Sequence, residues 1–206
     1  MMKRGLLTYV LLLCCIAGAS AQTGKTDMPK WTFGTEVSYD ATFFAHEYHY
    51  FISPDGYRDV IQVNKAMYDT DSEVNLHVGY NLNENWNLSL YLGYTDVGDF
   101  HKAVPVSLRA TRYFGDNPLN DRWFAFADIG SGISLKDRPQ PITCGKIGGG
   151  YRLSLSRYSK LDFLMALRAV YTHPDISYNG ETIIPTKISR NDGIICSLSI
   201  GIGFTF

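Results

Sequence analysis

The fold is decided by Gly193-Ile194-Ile195-Cys196-Ser197-Leu198-Ser199-Ile200-Gly201-Ile202-Gly203-Phe204-Thr205-Phe206. Stepping by two along an extended chain, Ile194, Cys196, Leu198, Ile200, Ile202, Phe204 and Phe206 share one face. Gly193, Ser197, Ser199, Gly201, Gly203 and Thr205 share the other, with Ile195 its one bulky member. A helix would mix these two sets. A strand separates them, and this strand runs to the last residue of the sequence.

Working outward from it, the same period recurs in seven more segments, at about 31–45, 73–82, 86–95, 103–114, 122–135, 143–155 and 160–171. In the first, Trp31, Phe33, Val37, Tyr39 and Phe43 lie opposite Glu36, Ser38 and Asp40. Each segment has the 9–11 residues, or slightly more, that a tilted membrane β-strand requires. Connections after the first, third, fifth and seventh strands run to roughly 27, 7, 7 and 20 residues, and the others to roughly 3, 7 and 4. Long connections at one end and short turns at the other are the habit of membrane barrels. The shortest is Asn83-Glu84-Asn85, residues that tolerate turn geometry. Ser53-Pro54-Asp55-Gly56 is a turn signal inside the first long connection, which makes that connection a projecting hairpin and leaves ten strands as the alternative count.

One face of these strands is suited to lipid. It comprises Val74, Leu76, Val78, Tyr80 and Leu82, then Trp86, Leu88, Leu90, Leu92 and Tyr94, then Leu161, Phe163, Met165, Leu167, Ala169 and Tyr171, and the seven residues of the last strand. None of these 23 positions is charged, where a chain that is 19% charged would place about four. A basic residue at the bilayer midplane costs about 2–4 kcal/mol, which accounts for the exclusion. Trp31, Trp86 and Trp123 begin strands that leave the same end. They suit a lower aromatic girdle with Phe204 and Phe206, and Tyr39, Tyr94 and Tyr171 an upper one.

The last strand resembles that of bacterial outer-membrane β-barrel proteins, which alternates in this way and ends in phenylalanine. From Trp31 to Phe206 the chain is similar to the small OmpA/OmpX-type barrel superfamily. The resemblance implies an all-β, eight-stranded antiparallel up-and-down transmembrane barrel in the outer membrane. It also implies that Phe204 and Phe206 belong to a signal read by the barrel-assembly machinery, and that surface loops serve adhesion or defence. The expected partners are outer-membrane lipid, that machinery, and extracellular proteins or glycans.

The first residues fit export. Lys3 and Arg4 form a basic start, residues 5–16 an apolar stretch too short to span a membrane as a helix, and Ala19-Ser20-Ala21 a small-x-small cleavage site. The expected organisation is a signal peptide at 1–21, a short periplasmic segment at 22–30 and the barrel at 31–206. A formal net charge of −1 excludes an electrostatic nucleic-acid footprint.

The other face collects Glu36, Asp40, Glu73, Asp128 and Asp162 against Arg109, Lys146, Arg152 and Arg168, with His77 as an extra member. An eight-stranded barrel is just wide enough for its own side chains, so these charges are expected to pair across a plugged lumen, unlike a diffusion porin. Other constellations carry less. His46-Glu47-Tyr48-His49 has the wrong spacing for a helical zinc motif, and only Glu47 and His49 share a strand face. Gly145-Lys146-Ile147-Gly148-Gly149-Gly150 lacks the order of a phosphate loop and lies within a strand. No histidine among His46, His49, His77, His101 and His173 has a serine two residues on, the arrangement of outer-membrane deacylases. No cofactor, metal or catalytic residue is expected. Cys144 should face the lumen and Cys196 the lipid, unpaired. A lipid A-modifying enzyme and a soluble lipocalin-like ligand-binding barrel remain the alternatives. Residues 46–72 and 172–190 carry the exposed aromatic and aliphatic side chains that suit partner binding.

Overall fold

The computed structural model describes residues 29–206 apart from 67–68, 98–100, 116, 136–139, 175 and 179–180. The expected signal peptide and nearly all of the segment expected to follow it lie outside the described residues. Eight long strands form the wall: β1 (Trp31–Ile52), β3 (Asp69–Asn81), β4 (Trp86–Val97), β5 (His101–Tyr113), β6 (Arg122–Ser134), β7 (Pro141–Ser154), β8 (Lys160–Thr172) and β11 (Ile188–Thr205). β2 (Arg58–Lys65) pairs only with the second half of β1, and β9 (Ser177–Tyr178) and β10 (Glu181–Thr182) form a small hairpin before a 3-10 turn at Pro185–Lys187.

Each wall strand pairs antiparallel with the next, and β11 returns to β1 in a register that runs from Gly34↔Thr205 to Phe51↔Ile188. The sheet is therefore closed and leaves no exposed edge in the wall, the arrangement that removes the hazard of an unpaired ladder. Burial alternates as the sequence pattern demands. In β4, for example, Asn87, Ser89, Tyr91 and Thr95 are buried while Trp86, Leu88, Leu90, Leu92 and Tyr94 are exposed. Small and polar residues face inward and large apolar ones outward, the reverse of a water-soluble barrel.

The wall strands exceed their expected lengths, chiefly at the end where β4 and β5 meet. There the outward face turns polar at Asp96 and Lys102, so the outer apolar stripe stops, but backbone pairing continues to Val97↔His101. As a result the connections β4–β5 and β6–β7 shrink to three and six residues, shorter than the eight of the β5–β6 turn. Long connections are confined to two places, the β1–β3 arm and the β8–β11 excursion.

The Ser53-Pro54-Asp55-Gly56 signal is a turn. Ser53 N–H donates to Tyr57 O at 2.8 Å, and Gly56, at φ 87°, supplies the left-handed residue. The strand count is eight, with β1–β2 projecting as an arm. A β-bulge at Thr42/Phe44 divides β1. Phe43 and Phe44 are both exposed, so inward positions are even-numbered up to Thr42 and odd-numbered from Ala45.

Candidate functional site

The lumen holds its charges in distinct clusters. At mid-height the Arg109 guanidinium forks between two acids: Nη1 and Nη2 donate to Glu36 at 2.5 and 3.1 Å, and Nε and Nη2 to Asp128 Oδ2 at 3.0 and 2.9 Å. Asp128 is its register partner on β6, whereas Glu36 reaches across from β1. The planar fork lies 4.1 Å from the Tyr91 ring centroid and 4.2 Å from that of Phe126, which fixes its plane.

Toward the end that carries the arm, Glu73 bridges two cations, Lys146 at 2.9 Å and Arg168 at 3.4 Å. Arg168 also meets Asp40 at 3.2 Å and donates to Thr95 Oγ1 at 2.8 Å. Lys146 and Arg168 are register partners on β7 and β8, so their like charges need that shared acid. Toward the other end Arg152 and Asp162, also register partners, form a two-point bridge of 2.7 and 2.6 Å. Arg109, Lys146 and Arg152 meet the demand that a buried charge be paired through charge-assisted bonds, and Arg168 meets it through ion pairs to Asp40 and Glu73 that are not hydrogen bonds.

His77 differs from the other nine lumen residues read from the sequence. Among the described residues it makes no ion pair; its ring stacks on Tyr91 with centroids 4.7 Å apart and fills the space over Gly34, where a Cβ would collide with it. Its role is packing. Gly150 belongs to the same logic, because a Cβ there would sit 2.6 Å from Phe124 Cζ. The glycine run 145–150 is thus a smooth stretch of wall inside β7 that accommodates large lumen rings.

Beyond the Glu73 cluster the lumen turns dry. Ala45, Val97, Ala103, Ile142, Val170 and Ile195, from six strands, form a buried apolar layer with Cys144 against it. Above it, Phe51, Ile176 and Ile183 make a second apolar centre that Ile61, Tyr178 and Ile188 cover. This small core joins the β1–β2 arm to the β8–β11 excursion, so the two long connections form one packed head. On the head, His49 bridges Asn191 at 2.9 Å and Glu47 at 3.2 Å, and His46 bonds Asn64 at 2.5 Å. Tyr171 and Arg190 both donate to Asp192. Among the described residues no three His, Cys, Asp or Glu side chains converge as a metal site.

On the outside, Trp31, Trp86, Trp123, Tyr39, Tyr94 and Tyr171 are all exposed. Trp31 and Trp123 stand edge-on to Tyr80 and Tyr151 on neighbouring strands, at 5.1 and 4.9 Å. Phe204 and Phe206 contact each other edge-on at 4.6 Å. Cys144 and Cys196 are free, on β7 and β11.

Closed pairing of eight strands, with apolar wall outside and charge inside, settles the architecture. It is a closed, eight-stranded antiparallel barrel. Solved structures with a similar fold include the outer membrane protein OprG from Pseudomonas aeruginosa, 13% identical, covering 85% of this chain and 95% of that one at a TM-score of 0.46. Neisserial surface protein A is 12% identical, with 85% and 96% covered and a TM-score of 0.45. The N-terminal β-barrel domain of Pseudomonas aeruginosa OprF is 16% identical, with 83% and 97% covered and a TM-score of 0.39. No protein-family model and no curated protein matches the chain.

Sequence reading missed the aromatic half of the lumen. Tyr91, Tyr113, Phe124 and Phe126 are buried inside, as are Arg122 and Lys160. The signal was present: Arg122, Phe124 and Phe126 share the parity of Asp128, opposite Trp123. An apolar ring draws attention to the outer face, and only strict counting assigns it inward.

Proposed function

We propose that this chain is an integral protein of the bacterial outer membrane whose plugged barrel anchors a folded extracellular head for contact with other molecules, without catalysis. The observation that carries the reading is the inversion of the wall. Its outward side is apolar on every strand, with Leu90, Ile129, Ile147, Met165 and Ile200 each at least half exposed, while Glu36, Asp40, Arg109 and Arg168 are buried inside. Water would penalise such an exterior and lipid welcomes it. The tryptophans and tyrosines then sit as interfacial anchors, and the β11 strand ending at Phe204 and Phe206 suits recognition by the assembly machinery.

The head follows from length. β1 has 22 residues, about twice what a tilted strand needs to cross a bilayer. Its second half therefore stands clear of the membrane, paired with β2 and packed on Ile176 and Ile183. Tyr57, Val60 and Ile184 are more than half exposed on it, side chains suited to a protein or glycan surface.

The test is mobility in detergent gels after fractionation of the outer membrane. A closed barrel should run faster unboiled and shift on heating. Recovery in the soluble periplasm with no shift would overturn the membrane assignment. Trypsin applied to intact cells should cut the head, at Arg58 or Lys65, and leave the barrel whole. A head untouched on intact cells but cut in lysates would place it on the inner side and end the surface reading. In planar bilayers the native protein should show no stable conductance.

A further inference from the structure

The barrel mouth at the β3–β4, β5–β6 and β7–β8 turns holds more positive charge than it uses. Arg122, Arg152 and Lys160, on the adjacent strands β6, β7 and β8, are all buried inside it. Arg122 and Arg152 are register partners, and both guanidiniums lie on the Tyr113 ring, 4.0 and 4.5 Å from its centroid. Among the described residues one carboxylate bonds a cation of the group: Asp162 is taken up by its two-point bridge to Arg152, while the nearby Asp121 accepts from the Ser154 N–H at 2.8 Å. Arg122 Nη1 donates to the Glu84 carbonyl at 2.7 Å, while its buried Nε has no hydrogen-bond partner. Lys160 Nζ donates to Ser154 Oγ at 2.5 Å and Ser156 O at 2.9 Å. Among the described residues neither Arg122 nor Lys160 meets a carboxylate.

Elsewhere in this lumen each cation has an acid. Here two buried cations face neutral oxygens, and the buried Nε of Arg122, unlike the unbonded Nε and Nη1 of Arg168, lacks even an acid within ion-pair distance among the described residues. A buried charge without a counter-ion is costly, so an anion is the natural complement. A guanidinium edge beside an ammonium suits an oxyanion with several acceptor oxygens.

We propose that this mouth binds a small soluble oxyanion of the phosphate type, held by Arg122 and Lys160, with Arg152 adding to the local field. The three side chains lie behind the strand wall, out of reach of a headgroup in the surrounding bilayer, so the phosphate is a solute's. Under the orientation proposed above the solute is periplasmic, but binding in detergent tests the site independently of orientation.

The experiment is calorimetric titration of the full barrel, folded in zwitterionic detergent, with inorganic phosphate at an ionic strength held constant by chloride. Saturable binding is expected at one site. Arg122→Gln should weaken it by about tenfold or more, as loss of a charge-assisted contact does, and Lys160→Gln should also weaken it. Arg112→Gln, on the exposed outer side of β5, should leave it unchanged. Heat-shifted mobility checks that each variant folds; should Arg122→Gln fail to fold, undiminished binding in Lys160→Gln overturns the site. Absence of saturable binding to the native protein, or equal weakening by Arg112→Gln, also overturns it. Anionic phospholipid added to the micelles should leave the phosphate isotherm unchanged, and displacement by that lipid would refute a soluble ligand.

Discussion

Two stretches of the same lumen are sealed by different physics. At mid-height Arg109, Glu36 and Asp128 fill the space with charge, each group held by directional bonds from a particular strand. Toward the arm, Ala45, Val97, Ala103, Ile142, Val170 and Ile195 fill it with hydrocarbon. Ion pairs fix one arrangement and fail abruptly when a partner is removed, because the remaining charge is stranded. Hydrocarbon tolerates change in proportion to the volume lost. The difference teaches that the barrel has a brittle seal and a compliant one in series.

The sharpest way to break the contrast is Arg109→Met, which leaves Glu36 and Asp128 buried without their cation. It should destabilise the barrel by about 3–5 kcal/mol, read as a lower urea midpoint in detergent. A loss within experimental scatter would mean that water already solvates both acids. Ile142→Ala should cost about 2 kcal/mol, toward the lower end for such truncations because neighbouring side chains can close in. It should still give no ion conductance, since the charged clusters block the path. The same variant sharpens the comparison chemically: Cys144 packs on this layer, so a water-soluble maleimide should label it slowly in the native barrel and faster after Ile142→Ala. Equal rates would show that the layer is not the barrier. The smallest global effect belongs to Phe51→Ala. The barrel midpoint should stay unchanged while trypsin cuts the head faster, because the head core opens locally without the wall. A lowered barrel midpoint would instead bind head and wall into one cooperative unit.

How much of this was legible before the structure varied with how strongly each region is constrained. The wall was readable because an apolar outer face and a tight lumen inside force strict alternation, as β4 and β11 show. The ladder ends were not, because at Asp96 and Lys102 pairing continues without an apolar outer stripe to mark it. The charged residues were visible as a set, but their partners were not: Glu36 and Arg109 are 73 positions apart, joined only by closure of the ring. His77 was read as an extra member of the ion network, whereas in the structure its ring stacks on Tyr91. The apolar layer and the head core went unread for another reason. Ala45 and Phe51 lie beyond the bulge in β1, where simple counting from Trp31 turns them outward, and inward apolar residues such as Val97 and Ile142 carry no charge to mark the lumen.

That bulge has a wider meaning. By adding one residue at Phe43 and Phe44, it gives a single continuous strand two reading frames, one set by the barrel and one by the head. Deleting either phenylalanine would rotate His49 and Phe51 outward and bring Tyr50 in, dissolving the head core while leaving everything from Trp31 to Thr42 in place. Lengthening the arm by pairs of residues would preserve both frames. The head can therefore diversify in sequence and reach independently of the membrane part, as an interchangeable module on a fixed stem.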